Sequence, residues 1–155
     1  MVSRKLKEAL ERGDLPYEEM SHKEAYTAQQ VAQAQHVPGD SVVKVVVIKH
    51  GDDFALLALP ATFRVEISKL KEIFPEGNIR LATEYEIGSI FPDCQIGAMP
   101  PFGNLYKVET WVDDSLMNNE QIVFQSGDHT STIKMKFKDW EGTVHPKHAI
   151  FSLRG

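Results

Sequence analysis

Residues 42–49 form the segment that most constrains the fold of this chain. The run VVKVVVIK contains five valines and one isoleucine, with Lys44 near its start. Because successive side chains of a strand point to opposite faces, both faces of this strand are apolar, and we expect protein to cover it on both sides. An ammonium there needs a hydrogen-bond partner, a lowered pKa or an opening to solvent. The sequence therefore predicts a central strand in which Lys44 has at least one of these three.

Helices are predicted around this strand from their capping residues. Ser3 can cap a first helix that Gly13 ends. Thr27 and Gln30 have capping-box spacing and open a second helix that runs to about His36. Further along the chain, short helices are expected from a cap at residue 68 and from a capping box at residues 83 and 86.

The remaining predicted elements are short strands. They are expected at residues 15–20, 54–59, 79–82, 105–112, 121–125 and 132–137. Pro16 lacks a backbone donor and places the first of them at a sheet edge. The turn at residues 51–53 makes a hairpin of the central strand and the one after it. This irregular mixture predicts one α+β domain over residues 1–155, with a mixed, mostly antiparallel sheet or partial barrel surrounded by short helices.

Composition narrows the class of protein. The 155 residues include 17 Lys and Arg against 22 Asp and Glu, a net charge of −5. This balance argues against a general DNA or RNA binder, but it allows contact with one end of a nucleic acid. The single cysteine, Cys94, excludes an internal disulfide and a cysteine-rich zinc site. No apolar run suits a membrane span or a secretory signal, so we expect a cytoplasmic protein with no membrane partner.

Lys44 has two interpretations. In the first, its stem covers apolar surface while its ammonium reaches water. In the second, it is a cation at the floor of a cleft that meets a phosphate or a developing oxyanion. The residues around it do not choose between the two.

A glycine- and proline-rich loop and a histidine are further candidates. The loop GAMPPFGN at residues 97–104 has two glycines that bracket two prolines, so its backbone is stiff and can present amides and carbonyls to a ligand. It can equally be a structural connection. His129 follows the Gly127-Asp128 turn and can position a ligand, or it can be an ordinary surface side chain.

Other reactive side chains do not form a known site. His145 and His148 are three residues apart, but no third metal ligand is evident. Cys94 has no nucleophile signature around it, and no Gly-x-Ser-x-Gly elbow is present. From the residues alone, the sequence predicts ligand binding or electrostatic catalysis without naming a substrate.

Three motifs together resemble the YbaK/aminoacyl-tRNA synthetase-associated domain family. They are Lys44 in its apolar strand, the loop GAMPPFG at residues 97–103 and the sequence GDH at residues 127–129. The resemblance extends from about residue 17 to residue 140 and includes His22. The family contains free-standing trans-editing deacylases and the editing insertion of bacterial prolyl-tRNA synthetases.

The resemblance implies a reaction and a set of site residues. The reaction is hydrolysis of the ester that joins a wrong amino acid to the terminal adenosine of a tRNA. Lys44 would be the catalytic residue, holding phosphate or ribose oxygens and stabilising the oxyanion while it faces the loop. His129 and His22 would position the substrate, and the loop would hold the aminoacyl group through Gly97, Ala98, Met99, Pro100, Pro101, Phe102 and Gly103. The implied partners are the aminoacyl-tRNA acceptor end and an aminoacyl-tRNA synthetase, without a cofactor or a metal.

Two departures from the family pattern leave the edited amino acid open. Val45 stands where some prolyl-editing members carry a polar residue, and Pro100 doubles the proline of the loop. Alanine, serine, threonine, cysteine and a non-protein amino acid all remain candidates. Two other functions also remain: a catalytically silent module that binds tRNA or a synthetase, and a hydrolase of some other small ester or amide.

Overall fold

Helices and strands follow one another irregularly along the chain, as predicted. The structure is a computed structural model that describes residues 3–22, 28–35, 38–75 and 77–155. Within these ranges the elements are α1 (Arg4–Arg12), β1 (Tyr17–Ser21), α2 (Ala28–Gln35), β2 (Val43–His50), β3 (Asp53–Pro60), β4 (Phe63–Val65), α3 (Ile67–Ile73), β5 (Ile79–Leu81), α4 (Glu84–Ile90), β6 (Glu109–Asp113), β7 (Gln121–Gln125), β8 (Ser131–Lys136), α5 (Phe137–Val144), β9 (Lys147–Ala149) and β10 (Ser152–Arg154). Short 3₁₀ helices lie at Gly39–Ser41, Gly103–Tyr106 and Asp114–Asn118. In this part of the chain, no helix is both long and apolar enough to cross a membrane.

The strands form three sheets. The largest has the order β5-β2-β3-β6-β9, the second the order β1-β8-β7, and the third pairs β10 with β4. β6 runs parallel to β3 and β9, and the other pairings between the described strands are antiparallel. A single parallel bridge between Val42 and Val123 joins the first two sheets. The predicted α+β class with a mostly antiparallel mixed sheet is confirmed.

Two apolar clusters cover opposite faces of β2, as its sequence predicted. The larger lies between the first two sheets and contains Val43 and Val47 of β2 with side chains of α1 and α5. The smaller lies under α3 and contains Ile48. Full burial of each large aliphatic or aromatic side chain contributes about 1.5–3 kcal/mol, so these clusters provide most of the driving force for folding.

Most of the predicted elements are present, with limits that differ by one or two residues. Ser3 caps α1, and Thr83 and Glu86 form the predicted capping box of α4. The hairpin of β2 and β3 is also confirmed. The expected cap at Thr27 and the expected helix end at His36 lie outside the described residues.

Two local predictions are wrong. Ser68 is not a cap, because α3 begins at Ile67, after Glu66, whose backbone N–H is bonded to the Phe151 carbonyl 2.8 Å away. Residues 105–112 are not one strand, because the segment first forms a 3₁₀ turn and passes through a left-handed Lys107 with φ of 58°. β6 therefore begins only at Glu109.

Asp113 fixes the end of the chain onto the sheet. This carboxylate is almost completely buried at the end of β6. One oxygen accepts the backbone N–H groups of Phe151 and Ser152 at 2.8 and 3.0 Å. The other accepts the N–H of Ser115 at 3.1 Å and also its hydroxyl. A buried carboxylate is tolerated here because several donors surround it.

We expect the substitution Asp113→Ala to lower the free energy of unfolding by about 3 kcal/mol, because it leaves these buried donors unpaired. The measurement is urea denaturation followed by circular dichroism. The matched control is Asp114→Ala, whose side chain is exposed, and it should change stability by no more than about 0.5 kcal/mol. Equal effects of the two substitutions would contradict the anchoring role of Asp113.

Candidate functional site

Lys44 projects from β2 toward the smaller cluster, on the same face as Val46 and Ile48. Its ammonium is partly buried and donates a hydrogen bond to the carbonyl of Phe63. Burial lowers the pKa of Lys44 from its ordinary value. The sequence called for a hydrogen-bond partner, a lowered pKa or an opening to solvent at Lys44. The structure has all three.

The opening is a hollow of about 290 Å³ beside β2. Its walls carry three cationic side chains, those of Lys44, Arg64 and Arg80, and an apolar lining made by Val46, Ile48, Val65, Ile67, Leu70 and Leu81. Ile67 and Leu81 are 48% and 64% exposed, so part of this apolar lining is open to solvent. An apolar wall with several cations suits a ligand that has both a flat apolar part and an anionic part.

Arg80 is held at the rim of this hollow by Glu86. The two side chains form a bidentate pair with nitrogen–oxygen distances of 2.8 and 2.9 Å. Glu86 also accepts the backbone N–H of Thr83 in the capping box. The Arg80 guanidinium and this N–H lower the pKa of Glu86 to about 2, so the pair is fully charged at neutral pH. The capping box of α4 thus orients a cation of the hollow.

The glycine- and proline-rich loop lies in the larger cluster and is rigid. Residues 98–103 are buried, whereas Gly97 is exposed and has a positive φ of 88°. Trp140 of α5 donates its indole N–H to the Pro101 carbonyl at 2.9 Å. The backbone N–H of Gly127 bonds to the Ala98 carbonyl, also at 2.9 Å. Of the seven loop residues predicted to bind substrate, only Gly97 is exposed in this state.

His129 packs against the start of this loop. Its backbone N–H donates to the side-chain oxygen of Gln95 at 2.9 Å. Its Nε2 lies 3.0 Å from the Ile96 carbonyl, and its Nδ1 lies 3.4 Å from the amide nitrogen of Gln125. A carbonyl oxygen only accepts hydrogen bonds, so Nε2 donates to Ile96, and both ring nitrogens lie against protein groups. These contacts fix the orientation of the ring, which suits His129 to positioning.

His22 lies close to His129 in the structure. Its backbone N–H donates to the carbonyl of Thr130 at 3.0 Å, in the residue that follows His129. The structure thus brings the two predicted histidines onto neighbouring segments, although they are distant in sequence.

Ser3 connects Asp93, which precedes the loop, to the turn that carries His129. Its backbone N–H donates to the Ser126 carbonyl at 2.6 Å, and its hydroxyl donates to Asp93 at 2.6 Å. Tyr106 donates to the other oxygen of Asp93 at 2.7 Å. Burial raises the pKa of Asp93, but these hydrogen bonds outweigh it, so the carboxylate has a net lowered pKa and is charged at neutral pH.

Lys44 and the loop lie on opposite faces of β2, which corrects the expectation that Lys44 faces the loop. Lys44 lines the hollow on the side of the smaller cluster, whereas Met99 and Phe102 of the loop belong to the larger one. The reason is strand geometry, because Lys44 alternates with Val43 and Val45, which point to the other face. A substrate that contacts both must reach them around an edge of β2.

β2 has such an edge. β5 pairs only with Ile48–His50, and the bridge to β7 is at Val42. Between these two contacts, the edge of β2 opposite β3 is open, because no strand of the described ranges pairs with it at residues 44–46. All three of these residues are partly exposed, whereas Val43 and Val47 are buried. A ligand at this gap can contact Lys44 on one face and the loop side on the other.

The other candidate residues do not join this site. His148 Nε2 lies 2.7 Å from a carboxylate oxygen of Glu141, and His145 ends α5 in a left-handed conformation. Among the described residues, no group of three or more His, Cys, Asp or Glu side chains could hold a metal. Burial raises the pKa of the Cys94 thiol to about 12, so it is almost entirely protonated at neutral pH.

Sequence reasoning missed several residues that shape the site. Arg64 and Arg80 are distant from Lys44 in sequence. Arg80 comes near it because β5 pairs with β2, and Arg64 lines the same hollow from β4, which pairs with β10. One pattern in the sequence bears on Arg80: the predicted capping box contains Glu86, the residue with which Arg80 pairs. Ser3 was identified only as a helix cap, and Trp140 only as the end of the stretch that resembles the family. No pattern predicted the bond from Trp140 to the loop or the bond from Ser3 to Asp93.

Known proteins share this sequence pattern and this fold. The sequence profile described as "Aminoacyl-tRNA editing domain" matches residues 22–142. The proline–tRNA ligase of Macrococcus caseolyticus (strain JCSC5402) is 28% identical over 92 residues. Those residues are 59% of this chain and only 16% of that ligase, so the chain spans a small part of that curated relative.

Two crystal structures have closely similar folds. Hypothetical protein APE2540 is 17% identical, with a TM-score of 0.86 over 97% of this chain and 100% of that one. A protein proposed to be a trans-editing enzyme for prolyl-tRNA synthetase is 21% identical, with a TM-score of 0.83 over 97% of this chain and 96% of that one. Because the family profile covers well over half of the sequence, the chain belongs to the aminoacyl-tRNA editing domain family.

Proposed function

We propose that this protein is a stand-alone, trans-editing aminoacyl-tRNA deacylase, with residues 1–155 acting as one domain. It hydrolyses the ester of a mischarged tRNA and releases the amino acid. The observation that carries the proposal is Lys44, a partly buried cation in an open hollow, within a chain of the editing family. Translation takes place in the cytoplasm, and we propose that the protein acts there.

The surroundings of Lys44 favour an anionic ligand. Its bonded partner is a neutral carbonyl, and desolvation is the cause of its lowered pKa, with no carboxylate of the described residues acting on it. A phosphate in the hollow would supply the missing negative charge, and Arg64 and Arg80 would bind it further. The apolar wall fits the flat face of a nucleobase. These features support the terminal nucleotide of a tRNA as the ligand.

The reaction needs little chemistry from the protein. Water attacks the carbonyl carbon of the ester, and the resulting tetrahedral oxyanion collapses with cleavage of the bond to the ribose oxygen. The proton that the attacking water loses passes to the ribose oxygen, which leaves as a hydroxyl. Holding the ester in place and stabilising the oxyanion are the main contributions to rate. Lys44 holds phosphate or ribose oxygens and adds positive charge, while Gly97 and His129 limit the space for the amino acid.

The net charge of −5 restricts how the tRNA is held. An acidic protein cannot make many phosphate contacts, so we propose that it binds the acceptor end through the few cations of the hollow. A synthetase that holds the rest of the tRNA is the proposed second partner. The catalytically silent binding module stays the competing function, and it requires acceptor-end binding without hydrolysis.

The proposal is tested with a panel of tRNAs, each charged with a wrong amino acid, with and without the matching synthetase. We expect wild-type protein to hydrolyse at least one of them and Lys44→Ala to lower its kcat/KM by about 100-fold or more, the usual cost of losing one oxyanion-stabilising group. The control Lys49→Ala, in the same strand but outside the hollow, should retain activity.

A panel that stays intact under both conditions would overturn the deacylase. Binding of the acceptor end without hydrolysis would indicate the silent module instead. Hydrolysis of small esters that lack tRNA, at a similar rate, would indicate a general esterase. Circular dichroism of Lys44→Ala separates loss of activity from loss of fold.

Cys94 should not take part in the reaction. Because burial raises the pKa of its thiol to about 12, we expect slow modification by iodoacetamide at pH 8 and faster modification as the pH rises toward 12. Cys94→Ala should keep the deacylation rate of wild type. Rapid alkylation at pH 8 that also abolishes activity would contradict this prediction.

A further inference from the structure

Along β2, the backbone N–H and C=O groups of successive residues point alternately to its two edges. The pairing with β3 shows which residues point to which edge. The Ala61 N–H donates to the Val42 carbonyl at 2.8 Å, which places the backbone groups of Val42 on the β3 side. In an antiparallel pair, the N–H and C=O of one residue point to the same side, and the next residue points to the other. Residues 44, 46 and 48 therefore bond to β3, while residues 43, 45 and 47 face the opposite edge.

That opposite edge is occupied at both ends of β2. Toward its end, the Ala82 N–H donates to the Val47 carbonyl at 2.9 Å, as the alternation requires. β5 then ends at Leu81, and the chain turns into α4 before it could reach Val45. At the start of β2, the bridge between Val42 and Val123 joins β7. Val45 lies between these two contacts, and its N–H and C=O face the gap.

The gap is bordered by the segments already assigned to the site. β2 and β7 run parallel from their bridge, so Val45 and Ser126 both lie three residues beyond it. Ser126 precedes the turn to His129, and its buried hydroxyl has no hydrogen-bond partner among the described residues. The Val45 side chain packs against the larger cluster, which also contains loop residues.

An aminoacyl ester has the same arrangement of polar groups as one residue of a strand. Its α-ammonium and its carbonyl oxygen are joined through one Cα, like the N–H and C=O of an amino acid in a chain. In an extended conformation they can pair with the C=O and N–H of a residue at an open strand edge, as peptides do when they add to a sheet. Val45 offers this pair of groups beside Lys44.

We propose that the aminoacyl group of the substrate pairs with Val45 as a one-residue extension of the sheet. The proposal rests on the deacylase function. The Val45 C=O accepts a hydrogen bond from the α-ammonium, and the Val45 N–H donates to the ester carbonyl oxygen and then to the oxyanion. Side chains directly opposite in an antiparallel pair point to the same face. The substrate side chain therefore lies with that of Val45, on the face of the loop and His129.

Proline substitution tests this directly. Val45→Pro deletes an N–H that β3 does not use, and proline is accepted at such edge positions. We expect its urea midpoint to match that of Val45→Ala, the control that loses the side chain but keeps the N–H. Its kcat should fall by about 100-fold or more relative to Val45→Ala, with a smaller change in KM, because the lost donor acts mainly on the oxyanion. Val46→Pro deletes an N–H that bonds to β3 and should severely destabilise the fold.

A second measurement does not need turnover. Hydrogen exchange followed by NMR should show a fast Val45 amide and a slow Val46 amide in the free protein. A non-hydrolysable aminoacyl adenosine with a 3′-amide link should slow the Val45 exchange by about 10-fold or more and leave Val46 unchanged.

The outcomes separate this inference from the deacylase itself. Wild-type protein that hydrolyses no mischarged tRNA overturns the function. Active wild type with equal kcat for Val45→Pro and Val45→Ala overturns the pairing alone. A slow Val45 amide in the free protein, or unfolding of Val45→Pro comparable to that of Val46→Pro, also overturns it, because either result means that the fold already uses this N–H.

Discussion

The structure depends on one strand that is buried on both faces but paired along only part of one edge. β2 carries the two apolar clusters on its opposite faces, so its position is fixed by most of the buried apolar surface. Its β3 edge is paired along the whole strand. The other edge is shared by β5 and by the bridge at Val42, and these do not meet. A rigid strand with a short unpaired stretch provides fixed hydrogen-bonding groups without the entropy cost of ordering a loop.

Around this strand, different elements provide charge and shape. The cations of the hollow come from β2, β4 and β5, and the pair between Arg80 and Glu86 holds one of them in place. The loop side has few charges. Hydrogen bonds from Trp140 and Gly127 hold the loop, and one from Ser3 holds the turn at Ser126. This separation fits a ligand with an anionic end and a small, weakly polar end. Positive charge is therefore concentrated at one place on a protein of net charge −5, because three cations line the same hollow.

The sequence predicted the central strand, its coverage and its hairpin because they follow from side-chain periodicity alone. It also identified the capping box of α4 and the cap at Ser3, since both are local patterns. It failed where a contact distant in sequence decides the local structure. The start of α3 is set by the Phe151 carbonyl, and the break before β6 is set by a turn around Lys107. Short elements such as β4 and β9 have too few residues to show a period.

The candidate site shows the same limits. Lys44 stood out because a charge in an apolar strand requires an explanation, and the structure supplies one. The position of Lys44 relative to the loop could not be predicted. The alternation of side chains shows which face of β2 carries Lys44, but nothing in the sequence shows which face the loop covers. Arg80 reaches the hollow through the pairing of β5 with β2, and Arg64 reaches it from β4, which belongs to another sheet; no local pattern reveals either position. The roles assigned to Gly97, His129 and His22 through the family resemblance stay predictions.

The gap in β2 also bears on how such proteins avoid association. Unpaired strand edges are templates on which a second chain can pair, and they promote aggregation. Here the unpaired stretch is limited to residues 44–46, which is too short to hold a foreign strand in register, and an ammonium group stands beside it. The length that the proposed pairing needs for a single amino acid is too short for a polypeptide. Under that proposal, selectivity for a small substrate and resistance to fibril formation have the same geometric origin.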